Sequence, residues 1–140
     1  MPGETRRARL SGPAGLAMVE EILDTLEGLW PELPDVPAED RTLFTLAVSE
    51  IATNMVQHGE VTASRTLSVE IVLCADELRA MLVDTAPPAS IDWHGVAMPD
   101  VDSESGRGLA LARTVLDEFS HTYDDRGNTW VLVRRVGISR

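Results

Sequence analysis

Three side chains that can do chemistry stand four residues apart in the stretch 43–59, LFTLAVSEIATNMVQHG: Glu50, Asn54 and His58. Steps of four bring side chains onto one stripe of a helix, since each residue advances about 100°. On that wheel Leu43, Phe44, Ala47, Val48, Ile51, Ala52 and Met55 form a broad apolar arc, with Ser49 and Thr53 opposite. Glu50 falls at the edge of the arc, Asn54 between Leu43 and Ala47, and His58 between Ala47 and Ile51. An inward carboxylate or carboxamide is costly unless something there satisfies it. A single such residue would read as a polar edge slanting across a core face; three in register favour a site.

Two further features follow. A strand ends in Asp84, where a carboxylate can accept from an exocyclic amine. Gly106-Arg107-Gly108 leads into a helix. Glycines let backbone N–H groups approach a ligand, and a helix N-terminus favours phosphate. Beside such an anion the Asn54 oxygen can ligate Mg2+, and a carboxylate one turn away can serve as general base. Taken singly, each signal is weak: a strand-terminal Asp usually marks a turn, and Gly-x-Gly is common at helix starts. The Walker phosphate loop is absent, as are the Gly-rich loop and His-Arg-Asp motif of eukaryotic-type protein kinases.

The elements that must position these residues can be read in order. Residues 5–10 read as a first strand, and Gly12-Pro13 as the opening of a helix with Pro at its first position. Leu16, Val19, Leu23 and Leu26 repeat at helical spacing up to Gly28. Pro31, Pro34 and Pro37 make residues 30–37 a connector without regular structure. After the central helix, Leu67, Val69, Ile71 and Leu73 alternate with Ser68, Glu70 and Val72 as a strand. Asp76-Glu77 marks a turn, and residues 78–83 return antiparallel, stopping where Pro87-Pro88 forbids ladder pairing. Residues 86–105 show no period, and a loop this long in a compact domain is usually a functional lid or a disordered segment. Leu109, Ala112, Val115, Leu116 and Phe119 mark the buried face of the next helix. Residues 121–123 and 129–134 form a closing hairpin around Asp125-Arg126-Gly127-Asn128.

The totals narrow the classes. A chain of 140 residues without repeats suits one domain, 1–140, with a sizeable core. A net charge of -11 argues against nucleic-acid backbone binding, which needs a basic surface, and suits either a basic protein partner or simple solubility. Cys74 alone excludes an intrachain disulfide and a Cys-based zinc cage, and reads as a buried inert thiol. His58, His94 and His121 lack metal-ligand spacing. Thr5-Arg6-Arg7 resembles a twin-arginine signal, but Gly12, Pro13, Gly15, Glu20 and Glu21 break the apolar core that an export signal needs. No run spans a membrane, so a cytoplasmic protein is expected.

With these residues in place, the chain resembles the GHKL ATPases, the Bergerat fold, and within them the small anti-sigma-factor serine/threonine kinases. Glu50-Ile-Ala-Thr-Asn54-Met-Val-Gln-His58-Gly59 is similar to the family's N-box. Asp84 begins the next box. Ser105-Gly106-Arg107-Gly108-Leu109-Ala110-Leu111-Ala112-Arg113 is similar to the last box and its helix.

The resemblance implies an α/β fold of α+β two-layer type: a mixed, mostly antiparallel sheet backed by helices, with an ATP lid at 86–105. It implies ATP and Mg2+ as cofactors, with Glu50 as base, Asn54 as metal ligand and Asp84 as adenine reader. Gly106 and Gly108 would cradle phosphates, and His58, Ala86, Arg107 and Leu109 would complete the nucleotide contacts. The implied activity is phosphorylation of a Ser or Thr on an anti-sigma-factor antagonist, in transcription regulation. A sigma factor would be the other partner, and homodimerisation is a family-level expectation. One position departs from the pattern. The family commonly has Asp-x-Gly where this chain has Asp84-Thr85-Ala86, which removes backbone freedom beside adenine. The alternative is therefore a non-catalytic module of the same fold that captures partners with weak or no nucleotide use. Without dimerisation and phosphoacceptor helices ahead of the domain, a complete sensor histidine kinase is not expected.

Overall fold

A computed structural model describes residues 4–57, 65–85, 104–125 and 127–137, with backbone only for 104–106. Five strands form one sheet in the order β1-β2-β3-β5-β4: β1 (Arg6–Pro13), β2 (Thr66–Leu73), β3 (Glu77–Asp84), β4 (Glu118–Asp124) and β5 (Gly127–Arg135). The expected mixed sheet is antiparallel in every pairing among the described residues. Among the described residues three α-helices complete the α+β fold: α1 (Leu16–Leu29), α2 (Ala38–Gln57) and α3 (Glu104–Val115).

The period-two pattern decides which strand face meets the helices. Leu67, Val69, Ile71 and Leu73 of β2 are buried, as are Leu78, Ala80 and Leu82 of β3 and Trp130 and Leu132 of β5. They share one core with Phe44, Ala47, Val48, Ile51, Ala52 and Met55 of α2, and with Leu109, Ala112 and Val115 of α3. The α2 arc is thus the one its spacing predicts, with Leu43 half-buried at its edge. Trp30 meets Phe44 edge-on at 6.4 Å between ring centres, joining the connector to α2. No described helix is long and apolar enough to cross a membrane.

Several expected boundaries are corrected. Pro13 does not open a helix. It is the last residue of β1, an edge strand that tolerates a missing N–H, and α1 begins only at Leu16. Gly28 lies inside α1, which ends at Leu29. The proline-rich connector contains a 3-10 turn at Trp30–Glu32, because Pro31 occupies a first-turn position where no N–H is needed. Helix α3 starts at Glu104, so Ser105, Gly106, Arg107 and Gly108 lie in its first two turns rather than ahead of it. Phe119 belongs to β4, and Asn128 to β5 rather than to the turn. Cys74 is half-buried rather than buried. Its thiol sits 3.0 Å from Asp76 Oδ1; burial first, and Asp76 second, push its pKa up, so the unreactive thiol form is favoured.

Helices and sheet are tied by a buried ion pair. Arg134 on β5 donates from Nε to Asp40 Oδ1 at 2.9 Å and from Nη1 to the Val115 carbonyl at 2.5 Å. One guanidinium thereby joins the first turn of α2 to the end of α3. Both charges are buried, at 4% exposure for Arg134 and 7% for Asp40. Removing one partner strands the other charge. Asp40→Ala is expected to lose about 3–5 kcal/mol of stability, whereas the apolar double variant Asp40→Leu/Arg134→Met recovers most of that loss. Urea unfolding of both variants checks this; equal losses in the two would sink it.

Candidate functional site

Glu50 and Asn54 lie one turn apart on α2, both half-buried at the margin of the apolar arc. His58, the third member of the stripe, and Ala86 lie outside the described residues, as does most of the expected lid. The Nδ2 atom of Asn54 is buried and has no hydrogen-bond partner among the described residues. Arg41 Nε and Arg65 Nε share that condition, and an orphaned buried amide is costly unless a ligand completes it.

The structure brings Glu50 against α3. A methyl group placed on Gly108 would collide with the Glu50 carboxylate, and would lie 3.3 Å from its Cδ and 3.5 Å from its Cβ. Glycine at this position is thus the space into which the Glu50 side chain reaches. Its neighbours have different fates. Gly106 falls in the first turn of α3, whose N–H groups have no intrahelical acceptor. Gly108 falls in the second, where the helical ladder uses the N–H. Arg107 is exposed, and Leu109 is buried in the core.

Asp84 ends β3 as the sequence suggests, with 3% exposure. Its surroundings were not legible. Asp84 Oδ1 accepts from Asn128 Nδ2 at 2.9 Å and from the Asn128 backbone N–H at 3.4 Å. Asp84 Oδ2 lies 3.7 Å from Arg65 Nη2. The same Arg65 atom donates at 2.7 Å to the carbonyl of Met55, next in sequence to Asn54. Arg65 therefore links the strand end to the last turn of α2, where carbonyls lack helical partners. His121 Nε2 lies 2.7 Å from Asn128 Oδ1, and the imidazole packs on Trp130 with ring centres 4.4 Å apart. Arg65, Asn128 and His121 were missed as site residues. The inward parity of Asn128, Trp130, Leu132 and Arg134 on β5 was the available signal, and Asn128 was read as a turn residue instead.

Two cavities lie elsewhere. One of about 440 Å³ runs between α1 and α2, lined by residues including Leu23, Trp30, Arg41 and Leu46. The other, about 420 Å³, lies over β1, β2 and β3 beside Arg9, Glu70 and Met81. Neither is lined by Glu50, Asn54 or Asp84. No cluster of three metal-binding side chains occurs among the described residues.

Glu50 and Asn54 thus stand one turn apart on α2, with Gly108 of α3 against Glu50. Residues 12–134 match the family model described as Histidine kinase-like ATPase domain, and the chain belongs to that family. Among solved structures it is similar to the RsbU and RsbW domains of Rv1364c from Mycobacterium tuberculosis, with a TM-score of 0.67 and 21% identity over 94% of this chain and 32% of that one. It is also similar to the histidine kinase domain of the blue-light activated histidine kinase EL346 from Erythrobacter litoralis, with a TM-score of 0.57 and 20% identity over 89% of this chain and 61% of that one. The chain thus spans less than two thirds of either structure. No curated protein matches it.

The turn before β5 has its own constraint. Gly127 has φ +138°, and a Cβ there would run into the carbonyl oxygen of Asp84 and lie 2.8 Å from its carbonyl carbon. Gly127→Ala is expected to lose at least the roughly 1–3 kcal/mol of a residue forced into a glycine-only conformation. Chemical denaturation measures this; an unchanged midpoint would show that the turn relaxes freely.

Proposed function

We propose that this chain binds Mg-ATP and transfers its γ-phosphoryl group to a Ser or Thr of a partner protein, as a regulator of the anti-sigma-factor kinase type. The observation that carries the reading is the Glu50–Asn54 pair: a carboxylate set into the space left by Gly108, and one turn on, a buried amide with no hydrogen-bond partner among the described residues. Family membership supports the ATP half. The partner half rests on the N-box and Gly-Arg-Gly-Leu resemblance, with a sigma factor or its antagonist as the expected partner.

The donor set fits the cofactor. Asn54 would give its carboxamide oxygen to Mg2+ and its Nδ2 to a phosphate oxygen, which accounts for the orphaned amide. Mg2+ supplies charge neutralisation at the phosphates when bound. Gly106, in the first turn of α3, would offer backbone N–H to phosphate. Glu50 takes the proton of the attacking hydroxyl as its oxygen bonds to the γ-phosphorus. The bond to the bridging oxygen breaks, and ADP leaves. Asp84 would accept from the adenine amine.

The second reading is a partner-binding module without phosphoryl transfer. Asp84 favours it, since that carboxylate is already engaged by Asn128 and Arg65; so does Ala86 in place of the family's glycine.

Glu50→Gln keeps shape and removes the base. It should leave Mg-ATP affinity roughly intact and cut transfer by about 10²–10⁴-fold. Asn54→Ala should weaken Mg-ATP binding itself. Calorimetry with Mg-ATP and a radiolabelled-ATP assay against candidate antagonist proteins separate the two effects. A wild type that transfers nothing across many candidates yet captures a partner would favour the binding module.

Gly108→Ala separates stability from function. Alanine in a helix is favoured over glycine by about 1 kcal/mol, and the obstructing Glu50 oxygen ends a flexible side chain. The melting temperature should hold or rise while transfer falls, because Glu50 is displaced. Full transfer by this variant would remove the Glu50–Gly108 contact from the mechanism.

A further inference from the structure

We infer that the groove between α1 and α2 is a docking site for an amphipathic helical segment of a partner protein, in which Arg41 receives a carboxylate and Leu46 an apolar side chain about one turn away. None of Glu50, Asn54 and Asp84 lines the groove, so the site is separate from the one assigned to nucleotide.

Arg41 stands apart from the other shielded arginines. Among the described residues, every other arginine that is buried or half-buried faces an acid. Arg6 meets Glu32 at 3.2 Å, Arg65 meets Asp84 at 3.7 Å and Arg134 meets Asp40 at 2.9 Å. Arg41 is half-buried and has no such partner. Its Nε is buried without a hydrogen-bond acceptor, and its guanidinium makes no ion pair among the described residues. A cation that has given up part of its hydration gains most from an anion brought to it, and a guanidinium matches a carboxylate in shape. Glu27 lines the same groove, but it is exposed and does not pair with Arg41.

The groove also offers apolar surface. Leu46 is 39% exposed and lies outside the core that holds the rest of the α2 arc. It lines the groove with Leu23 and Trp30, among the hydroxyls of Thr45 and Ser49. The volume, about 440 Å³, is that of a built binding site. The α2 wall runs from Ala38 to Ser49, about 16 Å at 1.5 Å per residue, which a helix of about three turns covers. Arg41 and Leu46 are about 7.5 Å apart along that wall. A docked helix reaches both from positions three or four apart.

The occupant follows from these two features together. A small anion would use Arg41 and leave Leu46 bare. A second copy would bring a net charge of -11 against a net charge of -11, and the one acid among its groove residues is the exposed Glu27. A helical segment with one carboxylate and one large apolar side chain uses both, and Glu27 at the rim favours uncharged or basic residues around that carboxylate.

The probe is a displayed library of random peptides of about 12 residues, or three helical turns, selected on the immobilised full chain. Selected peptides are then titrated by fluorescence anisotropy against wild type, Arg41→Gln and Leu46→Ser. They should share an Asp or Glu and a large apolar residue three or four positions apart. Arg41→Gln should weaken them about tenfold or more, the worth of a charge-assisted hydrogen bond. Leu46→Ser should weaken them as well, and since Leu46 is outside the core, its urea midpoint should match wild type. Peptides without an acid, or peptides that bind Arg41→Gln as tightly as wild type, overturn the role of Arg41. Undiminished binding to Leu46→Ser overturns the two-point anchor. A selection that enriches nothing overturns the docking site. A wild-type dimer in light scattering that Arg41→Gln dissolves places a second copy in the groove and overturns the assigned partner. None of these outcomes bears on Mg-ATP binding.

Discussion

Arg65 carries a full charge into the interior, at 5% exposure, and the placement of the site depends on how that charge is met. One atom of its guanidinium, Nη2, donates to the Met55 carbonyl and lies 3.7 Å from the Asp84 carboxylate. The end of β3 and the end of α2 are therefore held at a common point, and Asn54 lies one residue from it. A buried guanidinium stripped of its anion is severely destabilising. Asp84 is thus needed by the fold whether or not it reads a base. A replacement there disturbs the fold as well as any contact that the carboxylate makes.

The opposite side of the site is governed by absence of bulk. Gly108 costs α3 helix propensity and leaves room for Glu50. Gly127 does the same for the backbone of Asp84. In both places a side chain has been given up so that a carboxylate-bearing residue can approach another element closely. Local stability has been traded for geometry around acidic residues, as expected where binding matters more than packing.

Much of this was legible in the sequence because it follows from periodicity. The apolar arc of α2, the alternation of Leu67–Leu73, the strand end at Asp84 and the order of the site-bearing elements all derive from one-dimensional patterns. Boundaries failed where local signals have two meanings. Pro13 serves a helix start or an edge strand equally well; the pairing of β1 with β2 chose the latter. Gly106 and Gly108 read as loop because glycine usually does, yet both lie in α3, and packing against Glu50 makes glycine the fitting residue at 108. The network of Arg65, Asn128 and His121 was not legible. Its members are brought together by strand register, Asp84 opposite Asn128 and His121 opposite Trp130, and register is a property of two strands at once.

The place of β1 in the sheet has a kinetic side. Its partners run from Arg6↔Leu73 to Pro13↔Thr66, so it cannot pair until both helices between it and β2 have been made. At a synthesis rate of roughly 5–20 residues per second, that is a wait of about 3–13 s with one strand's worth of backbone unpaired. Such a segment invites pairing with a neighbouring chain. Arg6, Arg7 and Arg9 give this strand a positive charge on each copy, and two nascent copies of it repel one another until β2 arrives.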